Sequence, residues 1–215
     1  MRLRPVDLRG IQLETLDPDF LIQVLDAVSS GTATAKNDGG GGGAFSVQAM
    51  LVDSDPGGTT RAYVGGNASV EAASLAITAD GTMASSAEVQ TINVGVVGGT
   101  GARPTAQTSG EVEAFIGRDP AGTGGGSTVI DVSGAVTVNS SSDASATSRV
   151  GGGGGGGISV NVLLPKATTN SETNAFVGAG TDLDAGSLDV KATADSRLAT
   201  ATGDYVSVSV LEGSG

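Results

Sequence analysis

The 215-residue sequence contains no cysteine, no histidine and no tryptophan, and aromatic residues make up only 3% of it. Without cysteine there is no disulfide, no thiolate nucleophile and no cysteine-ligated metal. Without histidine there is no imidazole base and no ordinary zinc site. Because these absences remove the residue types on which most catalysis depends, we expect a structural protein and not an enzyme.

Long apolar runs are also absent, so the sequence predicts no membrane-spanning helix and no membrane insertion. The first ten residues are basic, but Glu14, Asp17 and Asp19 interrupt the segment in which a signal peptide would have its apolar core. The chain has 11 basic and 23 acidic residues and a net charge of −12, which argues against nucleic acid as a partner. An acidic, cysteine-free chain rich in Ser, Thr and Gly is typical of bacterial secreted or cell-surface proteins, with an export signal outside this chain.

One segment near the amino terminus has helical periodicity. Asp17 can cap a helix and Pro18 suits its first turn. Apolar residues then recur at helical spacing, namely Phe20, Leu21, Val24, Leu25 and Val28. We therefore predict a helix over residues 17–29, within a leader of residues 1–38, that caps the first coil of the structure that follows.

From residue 39 onward the periodicity is that of strands. Four segments alternate an apolar residue with a small or polar one, residues 45–49, 92–96, 158–162 and 206–210. Between them two further landmarks recur in the same order. One is Ala-aromatic-Val/Ile-Gly, at residues 62–65, 114–117 and 175–178. The other is an apolar-acid-apolar triplet, at residues 70–72, 130–132 and 183–185, followed by a second apolar pair.

Repeated strands with small apolar residues predict a parallel β-solenoid, because stacking equivalent strands closes their backbone hydrogen bonds and buries a narrow core. We place the solenoid at residues 39–215, as about three degenerate repeats (44–91, 92–157 and 158–205) and a final strand. Residues 119–127 and the glycine run 151–157 are interpreted as insertions in the second repeat. An antiparallel β-sandwich is the alternative fold, and the glycine runs are expected to be flexible or to form corners.

The repeats resemble those of large bacterial surface exoproteins, the filamentous-haemagglutinin-like and leukotoxin-type filamentous adhesins. The likeness depends on residues 60–65, 173–178 and 181–190, read as Thr-Arg-Ala-Tyr-Val-Gly, Thr-Asn-Ala-Phe-Val-Gly and Thr-Asp-Leu-Asp-Ala-Gly-Ser-Leu-Asp-Val. It covers roughly residues 44–212. The resemblance implies a β-helical shaft at the cell surface that functions in attachment.

Two sets of residues at equivalent repeat positions are candidate sites. Tyr63, Phe115 and Phe176 either form an exposed stripe that binds sugar rings or a partner, or lie in the core as its largest side chains; burial or partial burial is the favoured interpretation. The acids Glu71, Asp131 and Asp184 are expected to face outward, where they either bind Ca²⁺ as a ladder or keep the surface soluble.

The expected function is a structural or adhesive solenoid segment that binds a host surface or glycan. The alternatives are a fibre subunit that joins end to end through open solenoid edges and a carbohydrate-active β-helix. The sequence leaves the ligand and the handedness of the winding open, as well as whether the chain is a fragment or a complete subunit.

Overall fold

The computed structural model describes residues 22–119 and 126–209, and this part of the chain is all-β. It contains ten strands and no helix. The strands are β1 (Ile22–Ser54), β2 (Gly58–Val64), β3 (Ser69–Ala72), β4 (Ser74–Thr108), β5 (Gly110–Ile116), β6 (Thr128–Gly156), β7 (Ile158–Leu163), β8 (Lys166–Thr169), β9 (Glu172–Val177) and β10 (Thr181–Ser209).

Every pairing among the described strands is parallel. One sheet runs in the order β1-β4-β6-β10, with β3 paired to β6 and both β7 and β8 paired to β4; the other runs β2-β5-β9. Ile22 pairs with Ser74, and Leu75 pairs with Val136, which in turn pairs with Leu188. Equivalent segments of four successive units therefore lie side by side, and the antiparallel sandwich is wrong. The units are residues 22–64 (unit I), 69–116 (unit II), 128–177 (unit III) and 181–209 (unit IV).

Strands β1 and β4 double back, so the units form two facing layers. Within β1 the Ser54 hydroxyl donates to the Ala33 carbonyl at 2.9 Å, and within β4 the Asn93 amide donates to the Gly99 carbonyl at 3.1 Å. These contacts require a bend near Gly43 and Gly95. The first layer comprises residues 22–43, 69–95, 128–156 and 181–209, and the second comprises residues 45–64, 97–116 and 158–177. Such a stack is compatible with a β-solenoid.

The predicted amino-terminal helix is wrong where the structure describes it. Residues 22–29 belong to β1, while residues 17–21 of the prediction lie outside the described part of the chain. Leu25 pairs with Ile77 and packs against the core, whereas Val24 and Val28 are exposed. The edge of β4 offers this segment a full row of backbone partners and an apolar surface, and that tertiary pairing outweighs the helical spacing of its side chains.

The four alternating segments do not form the single ladder that their likeness predicts. Phe45 pairs with Val97, which pairs with Ile158. Ile92 instead pairs with Gly40 and with Gly153. The pattern misled because similar alternation occurs in both layers of each unit, so resemblance between segments does not fix their register. The glycine runs 39–43 and 151–156 are consequently paired strands, and each run ends where the first layer passes into the second, at Gly43 and Gly156 with positive φ.

The other two landmarks have the predicted register. Ala62 pairs with Ala114, which pairs with Ala175. In the apolar-acid-apolar landmark, Val70 pairs with Ile130, and Leu183 pairs with that same residue. The predicted insertion around residues 119–127 lies between β5 and β6. The equivalent connection one unit earlier, between β2 and β3, consists only of residues 65–68. Side chains of one type therefore form ladders across the units at these positions.

The interior between the layers is narrow and made of small side chains. One cluster contains Leu75, Ile77 and Ile116 among smaller residues, and a second contains Met50, Val52 and Val89. Buried hydroxyls accompany these clusters. Ser85 donates to the Ser54 carbonyl at 2.7 Å, and Ser148 donates to the Pro104 carbonyl at 2.8 Å. The core is therefore not purely valine and alanine, and its polar groups hold the layers together by hydrogen bonds.

Candidate functional site: an outer aromatic ladder

The aromatic landmark lies on the outer surface of the second layer. Along β2 the side chains of Thr60, Ala62 and Val64 are buried between the layers, so the intervening Arg61 and Tyr63 point outward. This alternation follows from the two-residue period of a strand. Register then places equivalent residues of β5 and β9 directly beside those of β2.

Tyr63, Phe115 and Phe176 form one stack of parallel rings. The ring centroids of Tyr63 and Phe115 are 4.9 Å apart with an interplanar angle of 5°, and those of Phe115 and Phe176 are 4.9 Å apart with an angle of 4°. Phe115 is only 3% exposed because a ring covers each of its faces, while Tyr63 is 46% exposed. Phe115 is thus buried and Phe176 is partly buried, but neighbouring rings cover them, and the stack lies on the outer surface and not in the core between the layers.

This geometry limits how the ladder can bind a sugar. A sugar ring stacks on the face of an aromatic ring, yet both faces of Phe115 are covered, and the central part of the stripe presents only ring edges. The only faces not covered within the ladder are those of Tyr63 and Phe176 that point away from Phe115. The structure therefore brings the three predicted residues together, but as a stack with its two ends as stacking platforms.

A charged cluster accompanies the ladder two residues earlier on the same strands. The Arg61 guanidinium binds Glu113, and it also lies 3.4 Å from Glu111 and 3.6 Å from Asp119. Arg61 and Glu113 are in register on β2 and β5, as Tyr63 and Phe115 are. Sequence reasoning missed this cluster, although the signal was present: both residues occupy the second position before the aromatic residue of their landmark.

The acidity of Glu113 in this cluster is shifted by its surroundings. Its side chain is 6% exposed. Burial is the main cause that raises the pKa of Glu113 above its ordinary value of 4.5, and a hydrogen bond with Glu111 adds to the rise. The positive charge of Arg61 opposes the rise. Burial thus makes the carboxyl group next to the aromatic stack harder to ionise than a solvated glutamate.

The predicted acidic ladder exists in the expected register. Glu71 pairs with Asp131, and Asp184 pairs with that same residue; all three side chains are exposed on the outer surface of the first layer. Within residues 22–119 and 126–209, however, no group of three or more acidic side chains has a geometry that could hold a metal ion. The three carboxylates therefore lie in one exposed row without forming such a group.

Comparisons with protein-family models, with curated proteins and with solved structures found no match. Across the described ranges, none of the secondary structure is a helix long and apolar enough to cross a membrane.

Proposed function

We propose that this chain is a β-solenoid segment of a bacterial cell-surface or secreted exoprotein, and that it acts as a structural shaft which presents outer faces for attachment. The observation that carries the proposal is the parallel, in-register pairing of successive units over most of their length. A stack of this kind converts each repeat position into a ladder on an elongated surface, which suits display and binding more than catalysis.

The surface of the second layer is the proposed site of attachment. Its aromatic ladder offers apolar ring faces at its ends, with the Arg61 cluster beside them as a source of hydrogen bonds. A glycan combines apolar ring faces with hydroxyl groups, so both parts of the site match its chemistry.

A glycan array and a cell-adhesion assay test this proposal. We expect the chain to bind and Tyr63→Ala to weaken binding at least fivefold, while Tyr205→Ala, which removes a half-exposed tyrosine from the other layer, leaves binding unchanged. Equal binding by both variants would remove the ladder as the site. Release of new sugar ends from any bound polysaccharide would instead favour the carbohydrate-active alternative.

End-to-end assembly is a second candidate function. Among the described strands, β1 and β10 each pair along one side only, so the stack presents two strand edges that are parallel in direction. Electron microscopy of the 215-residue chain tests this candidate, because end-to-end joining predicts single filaments that lengthen with protein concentration.

A further inference from the structure

Large apolar side chains are exposed at the bend where the first layer passes into the second. Eleven of them, on both outer surfaces, are between 51% and 87% exposed: Phe45, Val47, Leu51, Ile92, Val94, Val96, Ile158, Val160, Val162, Leu164 and Val206. Contiguous exposed apolar surface of this kind on a soluble protein commonly marks an interaction site. We call this region, on residues 38–53, 90–103, 151–164 and 204–206, the corrugated patch.

The patch has a regular relief, because apolar residues and glycines alternate from unit to unit. On the first layer, glycine is outermost in units I and III (Gly40, Gly42, Gly153, Gly155) and Ile92, Val94 and Val206 are outermost in units II and IV. On the second layer the order is reversed at two levels, where Gly99 of unit II lies between Val47 and Val160 and Gly101 lies beside Val162. At the level nearest the bend, Phe45, Val97 and Ile158 form an unbroken apolar row. Away from this row, each ridge on one layer therefore lies at the same unit as a groove on the other.

The fold itself does not require glycine in these grooves. A Cβ atom added at Gly99 would meet only the Val160 carbonyl at 3.5 Å, and one added at Gly101 would meet only the Gln48 carbonyl at 3.9 Å. Both are ordinary contacts, and neither glycine has a left-handed backbone. Glycine weakens a strand and is used where another backbone approaches closely, so a neighbour outside the molecule explains the grooves better than the fold does.

We propose that the corrugated patch is a lateral interface between copies of this chain, in which the first layer of one copy packs on the second layer of the next. When two copies lie side by side with equivalent units level, Ile92 and Val94 of one copy enter the groove at Gly99 and Gly101 of the next. The ridges at Val47 and Val160 enter the glycine grooves of units I and III. The packing is that of two β-sheets whose side chains interdigitate in a dry interface.

The area suits this occupant, and the charges beside the patch are mixed. Contacts across the interior put Ala33 level with Ser54 and Asn93 level with Gly99, so Lys36 of one copy comes near Asp53 of the next and Glu88 near Arg103. Like charges meet at Arg149 and Lys166 and, farther from the bend, at Asp80 and Glu111. The patch spans about 20 Å across the units and about 25 Å along the strands. Two copies thus bury on the order of 1,000 Å², near the lower limit for specific association, so binding should be weak and dependent on concentration.

Because the two surfaces of the interface differ, the contact does not close on itself, and repetition yields a ribbon of parallel shafts. The inference depends on the two-layer stack and not on attachment to a glycan, so either proposal can fail alone. Sedimentation velocity of the 215-residue chain over a range of concentrations is the first test. We expect reversible association of the wild type, and a chain that stays monomeric would overturn the proposal.

Variants identify the surface. Gly99→Val fills the groove and should weaken association at least tenfold, with an unchanged circular dichroism spectrum and melting temperature. Val160→Ser removes a ridge at an exposed position and should have a similar effect. Gly58→Val is the matched control, because a Cβ atom there has no neighbour within 4 Å and the position lies outside the patch. Association that none of these changes affects would contradict the lateral interface and indicate end-to-end joining.

Cross-linking then distinguishes the arrangement of copies. Since the chain has no cysteine, Gln90→Cys and Arg103→Cys place single thiols at the borders of the two surfaces, and every bismaleimide cross-link must join two molecules. A mixture of the two variants should give the mixed dimer in preference to either homodimer. A Gln90→Cys homodimer as the main product would overturn the first-on-second packing.

Discussion

On the outer surface of the second layer, one arginine faces three carboxylates. Arg61 binds Glu113 and lies within 4 Å of Glu111 and Asp119, so negative charge exceeds positive charge there. Burial of Glu113 makes its charged form costly and raises its pKa. Stacking of the strands thus gives Glu113 an acidity that it would not have in an isolated strand.

This shift predicts a pH dependence of stability. Because the pKa of Glu113 is raised in the folded chain, the folded state holds more protons than the unfolded state between pH 4.5 and that raised value. The stabilisation of the folded state by protonated Glu113 is therefore fully present below pH 4.5, and it is lost as the pH rises through the pKa of Glu113 in the folded chain. Urea denaturation at a series of pH values should show the free energy of unfolding of the wild type falling across this window relative to that of Glu113→Gln.

The control for this experiment is Glu71→Gln, which changes an exposed acid in the other layer. Its stability should fall across the window in parallel with that of the wild type. A constant difference between the wild type and Glu113→Gln at all these pH values would show that the burial of Glu113 has no energetic consequence.

At the scale of the strand, the direction of each side chain decides what a glycine does. Gly81 and Gly101 both belong to β4, but Gly81 points into the interior and Gly101 points outward. A Cβ atom at Gly81 would collide with the buried Val112 side chain, whereas one at Gly101 has only an ordinary contact. Interior glycines therefore set the separation of the layers, and outer glycines shape the surface.

Alanine substitution at these two positions tests that difference. Gly81→Ala should destabilise the chain by about 1–3 kcal/mol, because Val112 is β-branched, fully buried and unable to move aside without strain. Gly101→Ala should be neutral or stabilising by up to about 1 kcal/mol, since alanine loses less backbone entropy than glycine on folding. Chemical denaturation of both variants measures these changes, and equal destabilisation would contradict the assigned directions.

At the scale of the whole molecule, the sequence predicted the all-β parallel stack and two of its three ladders. It succeeded where a landmark combined unlike residues, as in the Ala-aromatic-Val/Ile-Gly motif, because only one alignment matches such a motif. The register of the valine segments was predicted wrongly, because the same alternation occurs in both layers. Some of these segments pair with glycine runs, whose sequence does not resemble that of their partners. The predicted helix was wrong over residues 22–29 for a related reason, because pairing between distant segments leaves no mark on local periodicity.

The candidate site was also predictable only in part. The identity and register of Tyr63, Phe115 and Phe176 were predictable from their repeat positions, but their outward direction was not, because a strand pattern does not say which of its two faces is buried. The Arg61 cluster and the relief of the corrugated patch could not be predicted, because they depend on contacts between residues that are far apart in sequence. Arg61 and Glu113 are separated by 52 residues, and Gly99 and Val160 by 61 residues.

Cross-linking of neighbouring units by a disulfide tests the in-register stack most directly. Ser86 and Thr147 are partners on β4 and β6, with both side chains pointing outward, so Cα atoms about 5 Å apart suit a disulfide. The variant Ser86→Cys/Thr147→Cys should oxidise to an intramolecular disulfide at low protein concentration. The variant Ser86→Cys/Asp143→Cys, which moves one thiol four residues (~13 Å) along the strand, should stay reduced. Equal oxidation of the two variants, or oxidation of the second alone, would contradict the parallel register.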